Sequence, residues 1–129
     1  MVNRSKNIGT AAETLVVRYL QEHGFPKAKR RALAGSLDEG DILVRDGLIV
    51  EVKAGVAAET ASDAQLRLWC IETDNEILNA HADDGFLVVK RKGHGAGKIG
   101  GWWVVTNAGR VLLTRYRLDE FLPIVKRGN

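Results

Sequence analysis

The sequence predicts an α/β fold, a mixed central β-sheet flanked by helices, and three observations predict it. The first is an apolar stripe at helical spacing near the N-terminus, formed by Ala12, Leu15, Val16, Tyr19 and Leu20. The second is the stretch GDILVRDGLIVEVK at residues 40–53, in which Asp46-Gly47 joins two short apolar runs. Asp-Gly between alternating hydrophobics is the strongest local signal for a tight β-hairpin. The third is the helix-patterned connection from Val52 to Phe86. It is long enough for a crossover, which lets the Phe86 strand lie parallel to a central one.

The elements follow in order. The first helical pattern begins at Gly9 and is stopped by Gly24 in the C′ position. Glu13 sits beside its apolar stripe, at the boundary between core and solvent, where an ordinary solvated carboxylate is expected from periodicity alone. Residues 25–33 carry Pro26, Lys27, Lys29, Arg30 and Arg31. They read either as an edge strand blunted by charge or as a phosphate-facing surface. Residues 34–40 form a loop that delivers the chain to the hairpin. Ala54-Gly55 ends the second hairpin strand, and Thr60 or Ser62 caps the next helix, with Ser62 and Gln65 spaced as a capping box. The inner stripe of that helix is Leu66, Trp69, Cys70, Thr73, Ile77 and Ala80, running to about Ala82 with a kink near Asp74-Asn75. Asp83-Asp84-Gly85 is a turn, and residues 86–89 form a continuously apolar strand suited to a central position.

Residues 90–101, KRKGHGAGKIGG, combine glycines with Lys90, Arg91, Lys92, His94 and Lys98 and contain no acid. Two readings stand for this flexible segment, a loop whose backbone lies close to phosphates or a loose hairpin loop with solubilising charge. No Walker A order is present, which argues against nucleotide binding. Residues 102–106 and 111–116 are strands around a turn at Asn107-Ala108-Gly109, and residues 118–125 form a terminal helix that packs through Phe121, Leu122 and Val125.

A chain of 129 residues is expected to form one domain, residues 1–129, with a sizeable core. Its 45% hydrophobic and 27% charged content is ordinary for a globular protein. No apolar run suits a bilayer and no signal-peptide core is seen, so no membrane partner is expected and cytoplasmic residence is the default. The lone Cys70 excludes a disulfide framework, and His23, His81 and His94 lack zinc spacing. A net charge of +3 is a mild basic bias, compatible with nucleic acid.

The chemistry concentrates on the hairpin. Strand alternation points Glu51 and Lys53 to one face and Val50 and Val52 to the other. The antiparallel turn brings Asp41 to the open end beside Glu51 and Lys53. Hard divalent cations take one or two carboxylates plus water and phosphate oxygens. Asp41 and Glu51 supply the carboxylates, and the Val52 carbonyl adds a third oxygen. Lys53 is placed to orient the attacking water or to stabilise charge on a phosphorane-like transition state. Glu13 holds the hydration shell or a second ion if its helix packs over the hairpin. By itself the Asp41, Glu51, Lys53 pattern is as compatible with ordinary solvated charges.

The sequence resembles the PD-(D/E)xK nuclease superfamily, and more closely the archaeal-type Holliday junction resolvases and their phage relatives. The resemblance is carried by Arg4-x-Lys6-x-x-Gly9-x-x-Ala12-Glu13, Gly40-Asp41, Glu51-Val52-Lys53, Gln65 and the strand at residues 86–90, spanning residues 3–106. It implies a restriction-endonuclease-like core of αβββαβ order and a dimeric, Mg²⁺-dependent endonuclease of a phage or prokaryotic cytoplasm, with Mn²⁺ as an alternative ion. Asp41 and Glu51 match the metal ligands, Lys53 the catalytic lysine and Glu13 the helix acid. Gln65 matches a position lining the site, although capping explains it equally well. Arg4 and Lys6 match basic residues that approach DNA. Gly40 stands where the nominal motif has proline. Lys27, Lys29, Arg30 and Arg31, with Lys90, Arg91, Lys92 and Lys98, would grip phosphates. The expected activity is hydrolysis of phosphodiester bonds in four-way or other branched DNA. A non-catalytic nucleic-acid-binding module of the same fold, or a restriction- or repair-type nuclease acting on duplex DNA, are the alternatives.

Overall fold

The computed structural model describes residues 4–31 and 40–127, with the side chains of residues 4–6 and 127 outside the description. Helix α1 (Arg4–Glu22) opens the chain, followed by the short edge strand β1 (Lys29–Arg30), then β2 (Ile42–Arg45) and β3 (Leu48–Lys53). Helices α2 (Val56–Glu59) and α3 (Asp63–Asn79) lead to β4 (Asp84–Val89). A 3₁₀ turn (Ala96–Gly101), β5 (Trp103–Ala108), β6 (Leu112–Arg117) and α4 (Leu118–Arg127) complete it. Among the described residues six strands make one mixed sheet in the order β1-β2-β3-β4-β5-β6, parallel only between β3 and β4. The connection through α2 and α3 is thus a crossover between parallel neighbours.

Strand alternation builds a core on each face. On one side Val50 and Val52, with Ile42, Val44, Phe86, Val88 and Val104, pack against Ala12, Val16 and Leu20 of α1 and Leu118 and Leu122 of α4. On the other, Leu87, Val89 and Val105 pack against Leu66 and Cys70 of α3. Among the described residues no helix is long and apolar enough to cross a membrane.

Local chemistry explains the boundaries. Gly24, at φ +105, ends α1 as expected, and the Phe25 N–H reaches back to the Leu20 carbonyl at 3.0 Å, closing a Schellman turn. The helix is already formed at Arg4, the first described residue, rather than beginning at Gly9, because this polar turn leaves no apolar period to read. Ser62 caps α3, its hydroxyl accepting the Gln65 backbone N–H at 3.1 Å. That helix ends at Asn79 and is continuous through Asp74 and Asn75, without the expected kink. The hairpin between β5 and β6 turns at Gly109-Arg110, two residues later than anticipated, with Arg110 at φ 60.

The glycine-rich segment is not a loose loop. Ile99 and Gly101 are buried, and the Trp102 indole N–H donates to the His94 carbonyl at 2.6 Å. Two apolar anchors among the glycines fasten it against α1 and α4. Of the basic stretch after Pro26, only Lys29 and Arg30 pair as strand, and residues 32–39 lie outside the described residues.

Candidate metal centre

Asp41 is held by the sheet on both sides. Its carbonyl accepts the Arg31 N–H at 2.8 Å, and its own N–H donates to the Val50 carbonyl at 3.1 Å. Gly40 stands before it at φ +92, a backbone that excludes proline, and a Cβ there would lie 2.9 Å from the Ile49 side chain. With its backbone so placed, Asp41 turns its carboxylate along the sheet, and Oδ2 accepts the Val52 N–H at 2.8 Å. A strand residue's N–H and C=O point to the same side, so the Val52 carbonyl also faces Asp41.

The two remaining acids approach Asp41 from opposite faces. Glu51 projects towards α3 and is only 4% exposed, with the Asp41 and Glu76 carboxyls beside it. Burial is the first cause that pushes its carboxyl up, to about 12, and the adjoining Asp41 and Glu76 add to it. Glu51 therefore carries a proton at neutral pH when no cation compensates the cluster. Glu13 reaches in from α1. Burial and then the charge of Asp41 raise its pKa, while Arg30, donating from Nε to Oε1 at 3.3 Å, works against the rise.

Lys53 shares the Glu51 face, as alternation requires, but its ammonium is engaged by α3. Nζ lies 3.5 Å from Glu72 Oε2 and 5.5 Å from the centre of the Trp69 ring. Gln65 caps α3, and at 1.5 Å per residue the helix sets it about 16 Å along the axis from Glu76. The structure thus brings together Glu13, Asp41, Glu51 and the Val52 backbone, with Lys53 on the same rim and Gln65 apart.

Glu76, which periodicity did not single out, is 3% exposed on the inner face of α3. Its signal was present. A carboxylate three residues after Thr73 falls on the stripe of Leu66 and Cys70, where a charge has no place unless something needs it.

Basic groups flank this end of the sheet. Arg30 and Arg31 adjoin Asp41 on one side. On the other, the Lys90 N–H donates to the Lys53 carbonyl at 2.9 Å, which sets residues 90–92 beside the lysine. Lys90 pairs with Glu59 at 3.3 Å, and the Arg91 guanidinium lies 4.2 Å from the Trp103 ring centre. Lys92 is exposed. Lys27 precedes β1 and lies further along from this end, while Lys98 rides the 3₁₀ turn on the α1 face. Arg4 and Lys6 lie in the first turn of α1, with side chains outside the described residues.

Among the described residues no three His, Cys, Asp or Glu side chains are already arranged as a metal cage. Oxygen donors from Asp41, Glu51 and Val52 around an uncompensated buried carboxyl nevertheless fit a hard divalent cation. Such an ion takes only one or two carboxylates and completes its shell with water and substrate oxygens. No protein-family model, curated protein or solved structure matches the chain.

Proposed function

We propose that the chain is a metal-dependent DNA endonuclease of the PD-(D/E)xK kind, with a restriction-endonuclease-like core, acting on four-way or other branched DNA. The observation that carries this reading is the contact between Asp41 and Glu51 at the end of two paired strands, with Lys53 two residues on and facing the same way. Asp41, Glu51 and the Val52 carbonyl would hold Mg²⁺, or Mn²⁺ in its place, and Glu13 would order its hydration shell. The ion, when bound, supplies electrophilic stabilisation of the scissile phosphate.

The remaining work belongs to the chain. Asp41, fixed by the Val52 N–H, offers its other oxygen in a set direction. Glu51 would hold the ion as a carboxylate, its proton passing to solvent. The Lys53 ammonium neutralises charge that develops on the phosphate as the bond to the leaving oxygen lengthens. Arg30 and Arg31 on one flank and Lys90, Arg91 and Lys92 on the other bind backbone phosphates without reading bases. Two symmetric cuts in a four-way junction would call for a two-fold dimer.

The test is a panel of labelled four-way, flap, nicked and linear DNA, with and without Mg²⁺. Cleavage of branched substrates that needs the ion, and is abolished by Asp41→Asn or Lys53→Ala, is expected. Preference for linear duplex would sink the junction assignment and leave the metal site standing. A DNA-binding module without catalysis is the second reading, resting on the basic residues that flank the site, Arg30 and Arg31 on one side and residues 90–92 on the other. DNA binding with no cleavage of any substrate would select it.

A further inference from the structure

Helix α3 runs back along β3, and the two elements meet in step. Residues four apart on a helix are separated by about 6 Å along its axis, and residues two apart on a strand by about 6.6 Å. Glu72 and Glu76 are four apart, and Lys53 and Glu51 are two apart in the opposite sense. The spacings match closely enough that both pairs close together. Glu72 meets Lys53 at 3.5 Å, and the buried Glu76 carboxyl lies beside that of Glu51. Trp69, one turn before Glu72, lies beneath the same ammonium.

The two rungs differ in kind. Glu72 is half exposed, so its pair with Lys53 is screened and weak, and its value is directional. Glu76 is buried, and a buried carboxyl is costly to keep. A leucine at this buried position would carry no such cost. An acid here therefore opposes stability, and its counterpart is what it does to Glu51.

We propose that α3 is the positioning wall of the metal centre, with Glu76 orienting the Glu51 carboxyl and Glu72 orienting the Lys53 ammonium. This rests on the nuclease reading for its chemistry, but not for its measurement. Glu76 touches neither DNA nor the reacting phosphate. It acts by fixing which Glu51 oxygen faces Asp41, as the outer hydrogen-bond partners of metal ligands do.

The experiment uses the full chain, with Mn²⁺ alone as the probe for binding and a labelled four-way junction for cleavage. Glu76→Leu is expected to weaken Mn²⁺ binding by about 10- to 100-fold, the range seen when such partners are removed. The melting temperature of the metal-free protein should hold or rise. Glu76→Gln keeps the shape and a hydrogen-bonding side chain beside Glu51, and should restore affinity to within about threefold of the parent. Glu72→Ala should leave Mn²⁺ affinity unchanged and slow single-turnover cleavage, because it acts through Lys53 alone.

Affinity within twofold of the parent for Glu76→Leu would overturn the assignment. So would an equal loss in Glu76→Gln and Glu76→Leu, which would make Glu76 a ligand in its own right. If Glu76→Leu fails to fold, the Glu72→Ala split between rate and affinity decides, and unchanged cleavage overturns the wall. A parent chain that binds Mn²⁺ but cuts no DNA overturns the nuclease reading only, and the Glu76 comparison still stands. A parent that binds no Mn²⁺ overturns both.

Discussion

At the scale of single residues, Glu51 sets the terms. Burial and its acidic neighbours hold its carboxyl far above the ordinary value of 4.5, so the folded protein keeps a proton that the unfolded chain releases. Wherever the unfolded state binds fewer protons, stability falls as pH rises. The stability attached to Glu51 is therefore fully present below about 4.5 and is lost progressively above it. Glu51→Gln, which needs no proton to stay neutral, should raise the melting temperature in EDTA, by more at pH 8 than at pH 5. Thermal melts at the two values check it, and an equal shift at both would contradict the buried neutral carboxyl. The shared face of Glu51 and Lys53 was legible in the sequence from strand alternation, and the nearness of Asp41 from the antiparallel turn at Asp46-Gly47. Glu76 was not, because Ile77 beside it satisfies the same apolar period and hides an acid that tertiary packing draws inwards.

At the scale of elements, the hairpin and the capping box are the parts that local chemistry decides. Asp46-Gly47 turns the chain with Gly47 at φ 81, and Ser62 caps α3 with the hydroxyl geometry its spacing implied. Ser62→Ala should destabilise the protein by about 1 kcal/mol, the usual worth of such a cap, read from denaturant midpoints at unchanged slope. Because α3 carries Glu72 and Glu76, that loss should be accompanied by weaker Mn²⁺ binding only if the whole helix shifts. Helix α2 escaped sequence reading for a physical reason. A four-residue turn after Gly55 is too short to display a 3.6-residue period. The 3₁₀ turn at residues 96–101 escaped for the opposite one, since its glycines advertise freedom while Ile99 and Trp102 remove it.

At the scale of the whole molecule, the arrangement of charge is what a polyanion would meet. Acidic oxygens lie at one end of the sheet, with Arg30 and Arg31 to one side and residues 90–92 to the other. Arg30, Lys90 and Arg91 already have protein partners, whereas Lys92 is exposed. Binding of a four-way junction in Ca²⁺ should weaken with salt, and Lys92→Ala should reduce the slope of log affinity against log salt by about 0.9, the contribution of one phosphate contact. An unchanged slope would remove Lys92 from the interface.

The strand order carries a consequence of its own. From β1 to β6, every strand lies beside the one made just before it. None must be threaded between two that already exist. As a ribosome releases the chain, the sheet can grow by simple addition at its leading edge. The acids of residues 41, 51 and 76 have all emerged before β4, so their neighbourhood can begin to assemble while the C-terminal hairpin is still unsynthesised.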